Sequence, residues 1–152
     1  MRPGDLAPGL DLRDQFGQDT SLAETLWERA ALLVFYPFAF SGICTGELTG
    51  IRDRLEGFQN DLVQVLCISC DPMYALRAWA DAEDFTFPLL SDFWPHGQVS
   101  RAYGVFDERS GMALRGTFLV GRDGRLLWSQ VNGPGEARDM AALARTATDL
   151  LR

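Results

Sequence analysis

Lysine is absent: all fourteen basic residues of the chain are arginine. That absence excludes Schiff-base chemistry and the phosphate-binding lysine of a P-loop. Histidine is scarce. A single residue, His96, leaves little with which to build a His-dependent triad or a multi-histidine metal centre. Its setting, Trp94-Pro95-His96-Gly97, reads as a helix-start loop. No apolar run approaches the ~20 residues needed to span a bilayer. The opening Met1-Arg2-Pro3-Gly4-Asp5 lacks the apolar stretch of a secretory signal, so a cytoplasmic protein without membrane contact is expected. Positive charge is also in deficit. A net charge of −7 argues against sequence-independent binding of nucleic acid, which needs a basic footprint. Cysteine is sparse: Cys44, Cys67 and Cys70 are too few, and odd in number, for a secreted disulfide scaffold. They fit a reducing compartment, where a thiol can serve as a nucleophile.

What remains is ordinary globular material. With 47% apolar and 23% charged residues in 152, the chain is expected to form one domain over residues 1–152. The segment Leu10 to Leu22, centred on Gln15-Phe16-Gly17-Gln18, predicts an N-terminal β-hairpin. The apolar runs Ala30 to Tyr36 and Leu62 to Ser69 predict strands buried on both faces. Between them, Leu48, Ile51 and Leu55 recur at helical spacing, predicting a helix from about Gly42 to Phe58. Asp71-Pro72 reads as a helix start, with Asp71 as N-cap, and the helix should run to about Ala82. Asp92 to Tyr103 holds a loop and a short helix. Gly116 to Val120 and Arg125 to Val131 predict strands joined by a turn at Arg122-Asp123-Gly124. A final helix should span Gly135 to Leu151, with Met140, Leu143, Ala144 and Leu150 on its apolar face. The strand–helix–strand unit requires a right-handed crossover and a parallel pair, and the late hairpin adds antiparallel strands. The expectation is an α/β fold with a mixed central sheet and helices on both faces. That is the layout of a thioredoxin-like fold, and the spacing alone allows other three-layer α/β folds.

The corner from Phe35 to Leu48 carries the chemistry. A strand ends, Pro37 opens a loop, and Cys44 falls in the first turn or so of the next helix. Free backbone N–H groups and the positive end of the helix dipole favour an anion there, and a thiolate is such an anion. Ser41, three residues earlier, can cap the helix and offer its hydroxyl to a thiolate. Glu47 lies one turn after Cys44.

The pattern Pro37-x-x-x-Ser41-x-x-Cys44 resembles the active-site signature of the peroxiredoxins, in which threonine is usual at the serine position. Arg115-Gly116-Thr117-Phe118 resembles that family's Arg-x-Ser/Thr-Phe segment. Two motifs in the expected order, about 70 residues apart, are far more specific than either alone. Phe87 to Gly97, Arg101 to Val105, and Phe40 to Cys44 look like the AhpE-type subgroup. The resemblance implies a thioredoxin-like fold, at least a homodimer, and a thiol-dependent peroxidase without a cofactor. By the same resemblance, Cys44 attacks a peroxide, Arg115 steadies the thiolate and the leaving oxygen, Ser41 orients the substrate and Pro37 shields the sulfur. Glu47 would aim Arg115.

A sulfenic acid on Cys44 must be reduced by a second thiol. The helix position five residues after Cys44, where one subgroup keeps a resolving cysteine, is Thr49, and no cysteine follows Cys70. Cys67-Ile68-Ser69-Cys70 matches a CxxC only as text, because it closes a buried strand instead of opening a helix. Cys67 reads as core. Cys70, at the strand end, stays open as a resolving thiol. The favoured expectation is a one-cysteine cycle with an external thiol: a low-molecular-weight thiol such as mycothiol with a glutaredoxin-like protein, or thioredoxin. A peroxide sensor or redox relay using the same cysteine is the alternative. A zinc site from Cys67, Cys70 and His96 lacks a fourth ligand. Phe38, Phe40 and Trp79 are candidates for an apolar mouth, or for plain core.

Overall fold

The computed structural model describes every residue, Met1–Arg152. In chain order the elements are β1 (Asp11–Arg13), β2 (Asp19–Ser21), α1 (Leu22–Glu28), β3 (Ala30–Phe35), α2 (Gly42–Asp53), α3 (Leu55–Phe58), β4 (Val63–Ser69), α4 (Met73–Glu83), β5 (Leu89–Ser91), α5 (Gln98–Ala102), β6 (Phe106–Asp107), β7 (Met112–Ala113), β8 (Arg115–Val120), β9 (Leu126–Asn132) and α6 (Met140–Leu151). Seven strands make one sheet in the order β2-β1-β5-β4-β3-β8-β9, and β6 and β7 form a small separate pair. The central strands β3, β4 and β5 are parallel. β8 joins β3 antiparallel and carries β9 on its outer side. This is the expected mixed sheet of a thioredoxin-like fold, with the N-terminal hairpin β1–β2 docked against β5. No helix is long and apolar enough to cross a membrane.

All six residues of β3 are buried, as a continuous apolar run demands when both faces of a strand are covered. Alternate residues point to opposite faces, and the core divides accordingly. Leu32, Val34, Val65 and Cys67 pack under α2, α4 and α6, together with Leu48, Ile51, Trp79 and Leu143. Leu33, Phe35, Leu66 and Ile68 pack on the other face with Leu22, Val99 and Ala113.

Several sequence expectations give way to tertiary context. The helix expected over Gly42–Phe58 breaks at Arg54, where φ/ψ of −125°/36° ends α2 before the short α3 begins. The last helix starts at Met140, capped by the Asp139 side chain, not at Gly135; residues 133–138 form a loop instead. On that helix Ala147 is buried, whereas Leu150 is 45% exposed. Asp71 is not an N-cap: Pro72 occupies that position and no side chain caps α4. Trp79 is core, 1% exposed, and Phe40 lies outside it with ring centroids 6.2 Å apart. The helix α1 and the short strands β5, β6 and β7 have no counterpart in the sequence pattern.

Both lower cysteines are buried as thiols. Desolvation is the main cause holding their protons on. It pushes Cys67 far above its ordinary value, and Cys70 from 9.0 up to about 11. The folded state therefore keeps these protons after the unfolded chain has lost them. Their contribution to stability is complete below pH 9 and disappears as pH rises, for Cys70 through about 11. Urea unfolding between pH 8 and pH 11 should show stability falling with pH, and the fall should be shallower in Cys70→Ser.

Candidate active site

The loop after β3 and the first turns of α2 face the start of β8 and the loop before α6. Ser41 is the N-cap of α2, with φ/ψ of −69°/151°. Its Oγ accepts a hydrogen bond from the Cys44 backbone N–H at 3.4 Å. The backbone N–H groups of Gly42 and Ile43, in the first turn, have no intrahelical acceptor. Cys44 itself is wholly buried. Above it opens a shallow pocket of about 380 Å³, lined by Pro37, Phe38, Ser41, Ile43, Met112 and Arg115 among others.

Arg115 enters from the first residue of β8. Its Nη2 donates to Cys44 Sγ at 3.4 Å, and its Nε donates to the Pro134 carbonyl at 3.0 Å. Its Nη1 donates to Glu47 Oε1. Glu47 is therefore not a solvated helix residue. One turn beyond Cys44 on the same face of α2, it is 2% exposed and ion-paired.

Glu47 has a second partner that the sequence pattern conceals. Arg138, 7% exposed, donates through its backbone N–H and Nε to Glu47 Oε2, both at 2.8 Å, and through Nη2 to Oε1 at 3.0 Å. Its Nη1 reaches the Gly116 carbonyl at 3.2 Å and Thr117 Oγ1 at 3.1 Å. Two guanidinium groups and one carboxylate leave one positive charge in excess beside the sulfur. An anionic sulfur would make the buried cluster neutral. Met112 and Pro134, which line the mouth or hold Arg115, are also missing from the sequence expectation. Only the unusual Gly133-Pro134-Gly135 run hinted that the segment before Arg138 is a loop.

The remaining candidates lie apart from this cluster. Cys67 sits in the layer beneath α2 and α4. Cys70 follows the end of β4 with its Sγ 3.9 Å from Ser100 Oγ, among groups of the opposite layer. His96 places its ring nitrogens 3.1 Å and 2.7 Å from the Phe93 and Gly111 carbonyls. Those contacts give it a part in loop structure.

A model of the AhpC/TSA family matches residues 3–129. The chain belongs to the AhpC/TSA family. Among curated members, alkyl hydroperoxide reductase E of Mycobacterium tuberculosis is 51% identical over 139 residues, 91% of each chain. Alkyl hydroperoxide reductase C of Staphylococcus aureus is 34% identical over 136 residues, covering 87% of this chain and 70% of that one. Among solved structures, Enterococcus faecalis AhpC superposes with a TM-score of 0.87 at 29% identity, over 97% of this chain and 90% of that one. Peroxidoxin BcpB of Mycobacterium tuberculosis gives 0.84 at 31%, over 100% and 97%. The AhpE-type peroxiredoxin resemblance seen in the sequence is borne out by the family match and by the first of these relatives.

Breaking a buried ion cluster by removing its shared partner typically costs about 3–5 kcal/mol, because the orphaned charges stay out of water. Glu47→Ala strands two such charges. Its unfolding free energy, from urea titration at pH 7, should fall by about that amount.

Proposed function

We propose that Cys44 is the peroxide-reducing thiol of this thiol-dependent peroxidase and that an external thiol recycles it. The observation that carries the reading is the Arg115 Nη2 to Cys44 Sγ contact at 3.4 Å, with Arg115 itself held by Glu47. An in-line attack of the thiolate on one peroxide oxygen forms the S–O bond and breaks the O–O bond. Sulfur loses two electrons and becomes a sulfenic acid, and the departing oxygen leaves as hydroxide or alkoxide and takes a proton from water. Arg115, beside both sulfur and mouth, would stabilise the charge growing on that leaving oxygen. Ser41 and the free N–H groups of the first α2 turn would orient the substrate. Pro37, at the rim, would limit access of water to the sulfur. Glu47 and Arg138 would act at one remove, by fixing the guanidinium.

The placement of the other thiols supports a one-cysteine cycle. Cys67 is sealed in the core, and Cys70, pushed up to about 11, is a poor thiolate at neutral pH. A disulfide also needs Cα atoms within ~7 Å, and the Cys70 sulfur is turned instead toward Ser100 of α5 and the Ala113 backbone. One thiol would then condense with the sulfenic acid, releasing water, and a second would release Cys44 as the mixed disulfide is reduced. The reductant we propose is a low-molecular-weight thiol acting with a glutaredoxin-like protein, or thioredoxin, in the cytoplasm; three unpaired cysteines support such a reducing setting. A homodimer is proposed on family likeness.

Cys44→Ser should consume no peroxide in a thiol-coupled assay, and Arg115→Ala should lose roughly 10²–10³-fold in rate. Intact mass after one equivalent of peroxide should show a gain of one oxygen on the wild type, followed by a mixed disulfide once a small thiol is added. Retained activity in Cys44→Ser would sink the reading, and an internal Cys44–Cys70 disulfide would sink the one-cysteine cycle. Failure of every thiol to support turnover would leave a peroxide sensor instead.

A further inference from the structure

The loop between β3 and α2 carries both Pro37 and Ser41, yet little holds it in place. At its start the Tyr36 N–H donates to the Ile68 carbonyl at 3.0 Å. Near its end the Ser41 N–H makes only a long, 3.5 Å contact with the Phe38 carbonyl inside the loop. Phe40 adopts a left-handed φ of 69°, a conformation that a non-glycine residue keeps only when its surroundings impose it. Within residues 37–40 one hydrogen bond leaves the loop: the Ala39 N–H donates to Asp71 Oδ2 at 2.8 Å.

Asp71 is well placed to serve as an anchor. The Ser69 hydroxyl donates to the same Oδ2 at 2.7 Å, and Ser69 is completely buried. The Asp71 carbonyl accepts from Ser91 Oγ at 2.7 Å. One residue therefore joins the C-terminal ends of all three parallel strands: β4 directly, β5 through Ser91, and β3 through the loop that follows it. In open α/β sheets reactive groups gather at that edge. The side chain that the sequence assigns to capping α4 is instead turned across the sheet edge toward the loop.

We infer that Asp71 is a positioning residue for the peroxidase reaction, fixing the Pro37–Ser41 loop through the Ala39 amide. It touches neither the sulfur nor the pocket lining. It acts by holding the backbone two residues before Ser41, and so the hydroxyl and helix start that meet the substrate. Its negative charge is not what matters. A carboxylate near a site that stabilises an anion is unhelpful electrostatically, and both hydrogen bonds fall on one oxygen. An asparagine that places its carbonyl oxygen at the Oδ2 position accepts both bonds without the charge.

The inference rests on Cys44 being the reacting thiol, and the test separates the two claims. Stopped-flow peroxide reduction is measured on wild type, Asp71→Ala, Asp71→Asn, Ser69→Ala and Cys44→Ser, and iodoacetamide alkylation of Cys44 on all of these but the last. Asp71→Ala should react with peroxide at least tenfold more slowly, while alkylation, which needs the sulfur but no substrate cradle, falls less than twofold. Asp71→Asn should stay within threefold of wild type. Ser69→Ala, which withdraws the hydroxyl that aims Oδ2 and that accepts the Asp71 N–H at 3.4 Å, should slow at least threefold, and it carries the test alone if Asp71→Ala does not fold. A wild-type peroxide rate in Asp71→Ala or Ser69→Ala, an Asp71→Asn as slow as Asp71→Ala, or parallel losses in both reactions would overturn the role of Asp71. Peroxide consumption by Cys44→Ser would overturn the underlying assignment instead.

Discussion

The geometry around Cys44 depends on a buried carboxylate shared by two arginines. Each of the three charges pays a desolvation penalty of several kcal/mol, and none could remain buried alone. Together they are tied by six hydrogen bonds from the two arginines to Glu47 and to strand β8. Because Glu47 belongs to α2, Arg115 to β8 and Arg138 to the loop before α6, the cluster fixes three separate elements at once. That arrangement leaves the Arg115 guanidinium one free direction, toward Cys44 Sγ. A lysine in its place would offer a point charge without the fork that lets one group face carboxylate, backbone carbonyl and sulfur together. The absence of lysine from the whole chain is therefore no handicap here.

Charge surplus and burial work together at this point. In a low-dielectric setting an unpaired positive charge is costly, and an anion beside it relieves the cost. The cluster with neutral sulfur is one charge short of balance, and the cluster with an anionic sulfur is balanced. In the proposed reaction the same surplus would serve an oxygen that becomes negative as a peroxide bond breaks, provided the oxygen arrives on the pocket side of Arg115. The helix start adds a smaller contribution of the same sign, through Ser41 and the free N–H groups of the first turn.

How much of this could be seen in the chain depends on the range of the interaction. The helix-start cysteine, its serine cap and the loop proline are local, and their spacing reveals them. The buried strands announce themselves by continuous apolar runs. Arg115 is distant from Cys44 in sequence and became visible only through a family-like segment. Arg138 stayed hidden because the last helix, expected from Gly135, reaches back past it, which turns a buried loop arginine into a helix surface residue. Asp71 was misread for a related reason. Asp before Pro is a strong local capping signal, but the Ala39 amide and the Ser69 hydroxyl, brought there by the parallel pairing of β3 and β4, outcompete the helix for its carboxylate. The short strand β5 falls below the length at which alternation carries information.

Complete burial of Cys44 sets a last constraint on the proposed cycle. A peroxide is small, and the pocket is lined by Arg115 and Ser41, the two residues whose side chains contact Cys44. A reducing thiol is larger and must bring its own sulfur into bonding contact along the S–O axis. With Cys44 wholly enclosed, that approach requires the loop bearing Pro37 and Phe38, or the first turn of α2, to move aside. The two halves of the cycle thus make opposite demands on the same segment: firm placement during oxidation and release during reduction. A loop held by a single outward hydrogen bond at Ala39 and by a left-handed Phe40 meets both demands better than one knitted into the sheet. Its few attachments suffice to set the geometry and are few enough to be given up.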